Sequence, residues 1–139
     1  LVLLMRQMQL PQNQIVELYR RAIFNVIGIN HDDHTKNFGF LMNQGGEWRL
    51  SPAFDMTYSY DPSGKWTKVH QIKLNNKQSN FIRGDLLAFA KYCDIKPRAA
   101  NAIIDKTIEV FRKFTLYADK YKVSHELKET INSNLLLNI

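Results

Sequence analysis

Apolar residues recur along the first third of the chain at intervals of three and four positions, the spacing of one face of a helix. The stripe that they form contains Ile15, Leu18, Tyr19, Ala22, Ile23, Val26 and Ile27. Arg20 and Arg21 lie off this stripe. Gly28 follows it directly, and a glycine at this place favours the end of a helix. The pattern therefore predicts a core helix that delivers the chain into a loop near Gly28.

Residues that favour the start of a helix precede this stripe and three later ones. Pro11 predicts the beginning of the first helix, with Asn13 as its candidate cap. Asp85 is placed to cap a second helix, and Pro97 to open a longer one. Ser124 predicts the cap of a last helix. The stripe after Pro97 contains Ala100, Ile103, Ile104, Thr107, Ile108, Phe111, Phe114 and Ala118.

Short apolar runs separated by turn residues predict one small β-hairpin and an extended segment after it. Residues 38–42 predict a short buried strand, Gly45-Gly46 the turn, and residues 48–50 the returning strand. Further along, residues 69–74 alternate weakly, and Asn75-Asn76 predicts a turn. The expected fold class is mainly α, of the α+β type: a helical bundle with a small β-hairpin.

Composition indicates one soluble globular domain with a real core. The chain has 139 residues, of which 45% are hydrophobic and 23% charged. No apolar run approaches the roughly 20 residues that a membrane span needs, so we expect no membrane contact. Cys93 is the only cysteine, which excludes an intrachain disulfide and fits a reducing, cytoplasmic setting. The net charge of +6 permits contact with phosphates, but zinc-finger spacing and an aromatic RNA-binding signature are absent.

A polar cluster at residues 31–37 lies between apolar segments and predicts a loop held by a rigid scaffold. Phosphoryl transfer from ATP needs a group that orients or deprotonates the acceptor hydroxyl, and oxygen ligands that hold Mg²⁺. Asp32 is the candidate base, and Asn37 and Asp55 are the candidate metal ligands. A tight hairpin starts and ends at the same edge of its sheet, so it should return Asp55 close to Asn37. Kinases use this order of Asp, Asn, hairpin and Asp.

The other polar members of the cluster have less specific roles. His34 is expected to donate to a phosphate or to orient Asp32, and Lys36 to face a phosphate or the solvent. His70 and His125 are remote in the sequence and lie in ordinary contexts, so they predict no site of their own.

Two other interpretations of the cluster stay open. In the first, Asp32 and Asp33 belong to a capping loop at the end of the helix, and His31 and His34 are incidental. In the second, the site is that of a metal hydrolase, because histidines suit transition metals. Its ligands would be His31, Asp32, Asp33, His34 and Asp55. The hydrolase interpretation gives no role to Asn37 or to the hairpin.

With these residues in view, the sequence resembles the carboxy-terminal lobe of HipA-type serine/threonine kinases, the toxins of bacterial toxin–antitoxin modules. The resemblance covers roughly residues 15–117 and rests on residues 30–38, 48–55 and 70–77, with residues 85–90 also similar. The third of these stretches departs slightly, because relatives often carry Gly where Asn76 stands and Arg where Gln78 stands.

The resemblance implies a kinase-like C-terminal lobe with Asp32 as the catalytic base. It implies Asn37 and Asp55 as ligands of Mg²⁺ and Phe54 beside the nucleotide. The residues that it places along the phosphates of ATP are His34, Thr35, Lys36 and Asn37.

The resemblance also implies a biological role. The protein would phosphorylate serine or threonine of a protein substrate, for which an aminoacyl-tRNA synthetase is one candidate. A DNA-binding antitoxin would be its partner, with contact to DNA only within that complex. The glycine-rich loop and strand lysine of an amino-terminal lobe are expected before Leu1, so residues 1–139 would be a fragment that is inactive without that lobe. The alternative is a non-catalytic, kinase-like docking or regulatory module, although such a module is expected to have lost a metal ligand.

Overall fold

The computed structural model describes residues 1–139 and contains six α-helices and one two-stranded antiparallel sheet. The helices are α1 (Val2–Gln7), α2 (Gln12–Gly28), α3 (Arg83–Tyr92), α4 (Pro97–Phe111), α5 (Phe114–Lys120) and α6 (His125–Asn134). The strands are β1 (Phe40–Met42) and β2 (Trp48–Leu50), and a single 3₁₀ turn spans Thr35–Asn37. The α+β class and the predominance of helices are as expected. No helix has the length and apolar character needed to cross a bilayer.

Helix α2 lies at the centre of the core, as its apolar stripe predicts. Ile23 and Ile27 are fully buried, and α2 contacts α1, α3 and α4. At its end, a side chain added to Gly28 would meet the Phe111 ring of α4 at 2.4 Å, so glycine permits the close approach of the two helices. Ile29 then leads the chain out of the helix in the left-handed conformation.

Two details of α2 differ from the expectation. Asn13 lies inside the helix and the cap position is that of Pro11, so the prediction of Asn13 as the cap is wrong. Arg21, which lies off the apolar stripe, is only 7% exposed. Its Nη2 donates to the carbonyl of Ser51 at 2.8 Å, and its Nε donates to Glu17 at 3.0 Å. Because the guanidinium is paired and hydrogen-bonded, it is tolerated in the interior and ties α2 to the end of β2.

The start signals of the later helices act mostly as predicted. Pro97 is the first residue of α4. Ser124 caps α6, where its hydroxyl accepts a hydrogen bond from the backbone of Leu127. Asp85 lies at the third position of α3 and not at its cap, and its carboxylate accepts the N–H of Ile82 at 3.0 Å. It therefore stabilises the helix start from within the first turn.

The structure adds a helix at one place and divides one at another. The helix predicted from the long stripe after Pro97 is interrupted, because α4 ends at Phe111 and α5 begins at Phe114. The apolar spacing continues across the break, so periodicity alone does not reveal it. Helix α1 has only six residues, too few for a periodic pattern, yet it buries Val2 and Met5 against the core.

The predicted hairpin is confirmed, with Phe40 opposite Leu50 and Met42 opposite Trp48. The expectation of a buried first strand is wrong for most of β1, since Met42 is 57% exposed. Phe40 is partly buried against the core, and the buried apolar residues of this region are Phe38 before β1 and Leu50 at the end of β2.

The chain between β2 and α3, residues 51–82, forms neither helix nor strand, and we call it the connecting segment. One isolated bridge joins it to the end of α2, between Asn30 and Ser59. Asn75 and Asn76 adopt left-handed backbone at the predicted turn. The extended stretch expected over residues 69–74 is irregular, and it packs beside the loop that follows α2.

Candidate functional site

The loop that follows α2 directs its side chains alternately inward and outward. His31 and Asp33 are buried, whereas the side chains of Asp32 and His34 are 42% and 40% exposed. Extended backbone produces this alternation, because neighbouring side chains point to opposite sides. The polar cluster therefore divides into an outward pair and an inward pair with different surroundings.

The carboxylate of Asp32 has few partners within the chain. Its closest ionic contact is Nε2 of His34, which lies 3.6 Å from Oδ1 and is too far for a good hydrogen bond. The other ring nitrogen of His34, Nδ1, is buried without a hydrogen-bond partner. The exposed carboxylate is thus available to accept a proton, and the exposed part of the imidazole lies beside it.

Asn37 ends the 3₁₀ turn, and the loop itself fixes its side chain. The Nδ2 group donates to the backbone carbonyl of Asp32 at 2.8 Å. Because the amide nitrogen is committed in this way, the orientation of the amide oxygen is fixed, and that oxygen accepts no hydrogen bond from the chain. The turn leaves an oxygen donor of the kind that Mg²⁺ prefers.

Asp55 has left-handed backbone with a φ of 55°, a conformation that aspartate tolerates better than most residues. Asn30 holds it there, donating from Nδ2 to the Asp55 carbonyl at 3.2 Å and to Asn25 at 3.1 Å. The Asp55 carboxylate is exposed and accepts no hydrogen bond from the chain. Asn37 and Asp55 line the same small pocket, so the structure brings these two predicted ligands together.

The remaining predicted site residues lie on the same side of the loop or in the pocket. Phe54 lines the small pocket beside Asp55 and is 45% exposed. Thr35 and Lys36 are both exposed at the 3₁₀ turn. Thr35 and His34 also line a groove of about 530 Å³, whose other walls include α1 and residues 71–74.

A buried polar network lies beneath the loop, and the sequence did not predict it. Asp33 Oδ2 accepts a hydrogen bond from His70 Nδ1 at 2.7 Å, and Oδ1 accepts one from the backbone of Gln71 at 2.7 Å. His31 donates from Nδ1 to the carbonyl of Thr67 at 2.9 Å. The expectation of an ordinary context for His70 is therefore wrong. Asp33 and His70 are 37 positions apart, and no local spacing signals such a pair.

The two histidines of this network share one buried environment. Their ring centroids lie 4.3 Å apart. Burial lowers the pKa of His31 below its ordinary value of 6.5, and the nearby His70 ring lowers it further. The neutral form of His31 is therefore favoured, with its Nδ1 proton directed at Thr67.

The two other interpretations of the cluster do not match the structure. Neither Asp32 nor Asp33 caps α2, because the helix end is closed by the backbone N–H of Ile29 donating to Asn25. A metal hydrolase would gather several histidines and carboxylates around one ion. No group of three or more His, Cys, Asp or Glu side chains is arranged to hold a metal.

Comparison with known families finds a match that covers most of the chain. Residues 1–114 match the model of a family described as the HipA-like C-terminal domain. This chain belongs to that family. The match includes the loop after α2, the hairpin and the connecting segment, and it ends at the start of α5. No curated protein matches the chain.

Membership in the HipA-like family carries a general functional meaning. It indicates a HipA-like toxin module, and HipA proteins are associated with kinase toxins. The family match extends further towards the first residue than the resemblance over residues 15–117, since it includes α1.

Proposed function

We propose that this HipA-like domain supplies the catalytic base and the magnesium ligands of an ATP-dependent protein serine/threonine kinase. Asp32 accepts the proton of the acceptor hydroxyl, and Asn37 and Asp55 hold Mg²⁺. The phosphates of ATP lie along His34, Thr35, Lys36 and Asn37, and the nucleotide contacts Phe54.

The observation that supports this proposal best is the hydrogen bond from Asn37 Nδ2 to the Asp32 carbonyl. It joins the backbone of the candidate base to the side chain of a candidate ligand, and it leaves the amide oxygen of that ligand free. The same ligand shares a pocket with the unpaired carboxylate of Asp55. Phosphoryl transfer depends mainly on positioning and charge stabilisation, so a preset arrangement of these groups is what the chemistry requires.

The chemistry of the donor set fits Mg²⁺. An amide oxygen and a carboxylate are both hard oxygen donors, and magnesium sites usually take one or two carboxylates and complete their shell with water and phosphate. Arg21 lines the same pocket, but its charge is offset by Glu17 at 3.0 Å. When bound, Mg²⁺ neutralises charge on the phosphates of ATP.

The outward carboxylate of Asp32 suits the role of the base. It has no strong internal partner, so an incoming hydroxyl meets little competition for it. His34, whose side chain is 40% exposed, lies beside it and is placed to hydrogen-bond to a phosphate oxygen.

Family membership also suggests a localisation, a substrate and a partner for this protein. We propose that the protein is cytoplasmic and that its partner is a DNA-binding antitoxin. The first substrate to test is an aminoacyl-tRNA synthetase. The net charge of +6 suits a surface that approaches DNA only within such a complex.

The direct test is transfer of the γ-phosphate from radiolabelled ATP by the full product of the gene that encodes these residues. Replacement of Asp32 with Asn should lower the rate of autophosphorylation or substrate phosphorylation by about 10²-fold or more, since it removes the base. Glu126→Gln, an exposed change on α6, is the matched control and should leave the rate unchanged. Equal rates for Asp32→Asn and the control would contradict the proposal.

A non-catalytic docking module is the alternative that a binding experiment separates from the kinase. Calorimetric titration with Mg·ATP should show binding that weakens at least about tenfold in Asp55→Asn, because the variant loses a charged ligand but keeps a residue suited to left-handed backbone. No binding, or binding indifferent to Asp55→Asn, would favour the docking role.

A further inference from the structure

The loop that carries Asp32 is anchored to the connecting segment on both sides of this residue. We propose that Asp33 and His70 are positioning residues that set the orientation of Asp32; this inference rests on the proposed role of Asp32 as the base. Neither residue belongs to the outward group that would touch ATP or the acceptor.

The first anchor is Asp33, whose side chain is fully buried. Its carboxylate accepts three hydrogen bonds, from His70 Nδ1 at 2.7 Å, from Gln71 N at 2.7 Å and from Ile72 N at 3.2 Å. A buried carboxylate is costly unless its oxygens are satisfied, so these donors hold it in one place. Asp33 thus binds the loop to the backbone at residues 71 and 72.

The second anchor is His31, on the other side of Asp32. It donates to the Thr67 carbonyl, and its backbone N–H donates to the Ser59 carbonyl at 2.9 Å. Its ring packs on His70, which in turn contacts the ring of Phe81 at 5.3 Å between centroids. His70 therefore touches both anchors, through a hydrogen bond to Asp33 and through ring contact with His31.

Because side chains alternate between inward and outward along the loop, the two anchors also fix the direction of the Asp32 side chain. With His31 and Asp33 both held inward, the side chain between them has only the outward direction available. The backbone carbonyl of Asp32 is also the acceptor for Asn37 Nδ2. A rotation of this peptide would therefore disturb the base and the amide ligand together.

Variants at His70 test this role, because Asn and His present a nitrogen donor at the same distance from the backbone. His70→Asn keeps a donor for Asp33, whereas His70→Phe keeps the ring and removes the donor. In the full gene product, His70→Phe should lower kcat at least tenfold while KM for ATP stays within twofold. His70→Asn should recover at least half of the wild-type kcat.

Equal kcat values for wild type and His70→Phe, or an equal loss in His70→Phe and His70→Asn, would overturn the proposal. Circular dichroism first establishes that each variant folds. If His70→Phe does not fold, His70→Gln replaces it, since it carries the same amide as His70→Asn with the donor displaced by one bond.

A second measurement separates failure of this inference from failure of the proposed kinase activity. In ¹⁵N-labelled protein, His70→Phe should increase exchange on the microsecond-to-millisecond scale at the Asp32 and Asn37 amides, and His70→Asn should not. If the wild type transfers no phosphate, the proposed function fails, and these dynamics still decide whether Asp33 and His70 position Asp32. Unchanged dynamics at Asp32 in His70→Phe would refute the positioning role in either case.

Discussion

The helical body and the connecting segment are stabilised by different interactions. In the body, apolar side chains such as Ile23, Leu86 and Ile104 are fully buried between α2, α3 and α4. The connecting segment contains no paired strands. Two buried carboxylates instead accept hydrogen bonds from its backbone and side chains. These carboxylates are Asp33 and Asp85.

Asp85 shows how such a carboxylate holds the irregular chain. It accepts hydrogen bonds from Lys77 Nζ at 2.8 Å, from Asn75 Nδ2 at 2.7 Å and from the backbone of Ile82 at 3.0 Å. The bond with Lys77 is the main reason that its pKa falls to about 2. The helical body therefore depends mainly on shape and volume, whereas the connecting segment, which buries Leu74 and Phe81, depends also on a few charges.

The largest effect on stability is expected from a cavity in the helical body. Ile23→Ala should lower the free energy of unfolding by about 3–4 kcal/mol, because it removes a fully buried side chain at the centre of α2. Leu116→Ala, at a site that is 68% exposed, is the matched control and should change stability by less than about 0.5 kcal/mol. Urea denaturation measures both, and similar losses for the two variants would contradict the assignment of the core.

The next effect concerns the connecting segment. Asp85→Ala should cost about 2–3 kcal/mol, because it leaves Lys77, Asn75 and the backbone of Ile82 without their acceptor. Asp105→Ala breaks an exposed pair with Arg83 and should cost less than about 1 kcal/mol. An equal cost for Asp105→Ala and Asp85→Ala would contradict the claim that the buried carboxylate stabilises the connecting segment more than an exposed ion pair does.

A change of pH should affect the connecting segment through His31. Because the pKa of His31 is lowered in the folded protein, the unfolded chain binds a proton more readily as the pH falls. Stability from this ring is therefore complete above pH 6.5 and decreases as the pH falls below that value. Denaturation curves from pH 8 to pH 5, compared with those of His31→Asn, should show a steeper loss in the wild type. Parallel losses in both proteins would argue against a buried, neutral His31.

The smallest effect is expected at the cap of α6, on the surface of the helical body. Ser124→Ala should cost about 0.5–1 kcal/mol, the usual value for loss of a capping hydroxyl. The hydrogen bond that it removes is long, at 3.4 Å, and exposed. Thermal denaturation of this variant beside Asp85→Ala compares an exposed helix cap with a buried carboxylate, and a larger loss at Ser124 would contradict the expected order.

The sequence predicted those parts of the fold that depend on local order. The stripe of α2, the first residue of α4, the cap of α6 and the hairpin follow from neighbours in the sequence, and the structure contains all of them. The interruption after Phe111 was not predictable from periodicity, since the stripe continues through it. Arg21 was also misjudged, because its burial depends on the distant carbonyl of Ser51.

The candidate site was predictable in part for the same reason. Asn37 lies near Asp32 in sequence, and the hairpin brings Asp55 to the pocket of Asn37, so spacing and turn geometry were enough to associate them. The anchoring of Asp33 by His70 depends on how an irregular segment folds back over 37 positions. Local sequence patterns do not indicate such a pairing.

The most direct test of the proposed cation site is paramagnetic broadening by Mn²⁺ in the ¹⁵N spectrum of the full gene product in the presence of ATP. Mn²⁺ accepts the same oxygen ligands as Mg²⁺ and broadens the signals of nearby amides. We predict that the amides of Asn37 and Asp55 broaden first, that Asp55→Asn strongly reduces the effect at the same Mn²⁺ concentration, and that Glu126→Gln leaves it unchanged. Broadening that begins elsewhere, or that persists unchanged in Asp55→Asn, would contradict the assignment of Asn37 and Asp55 as the metal ligands.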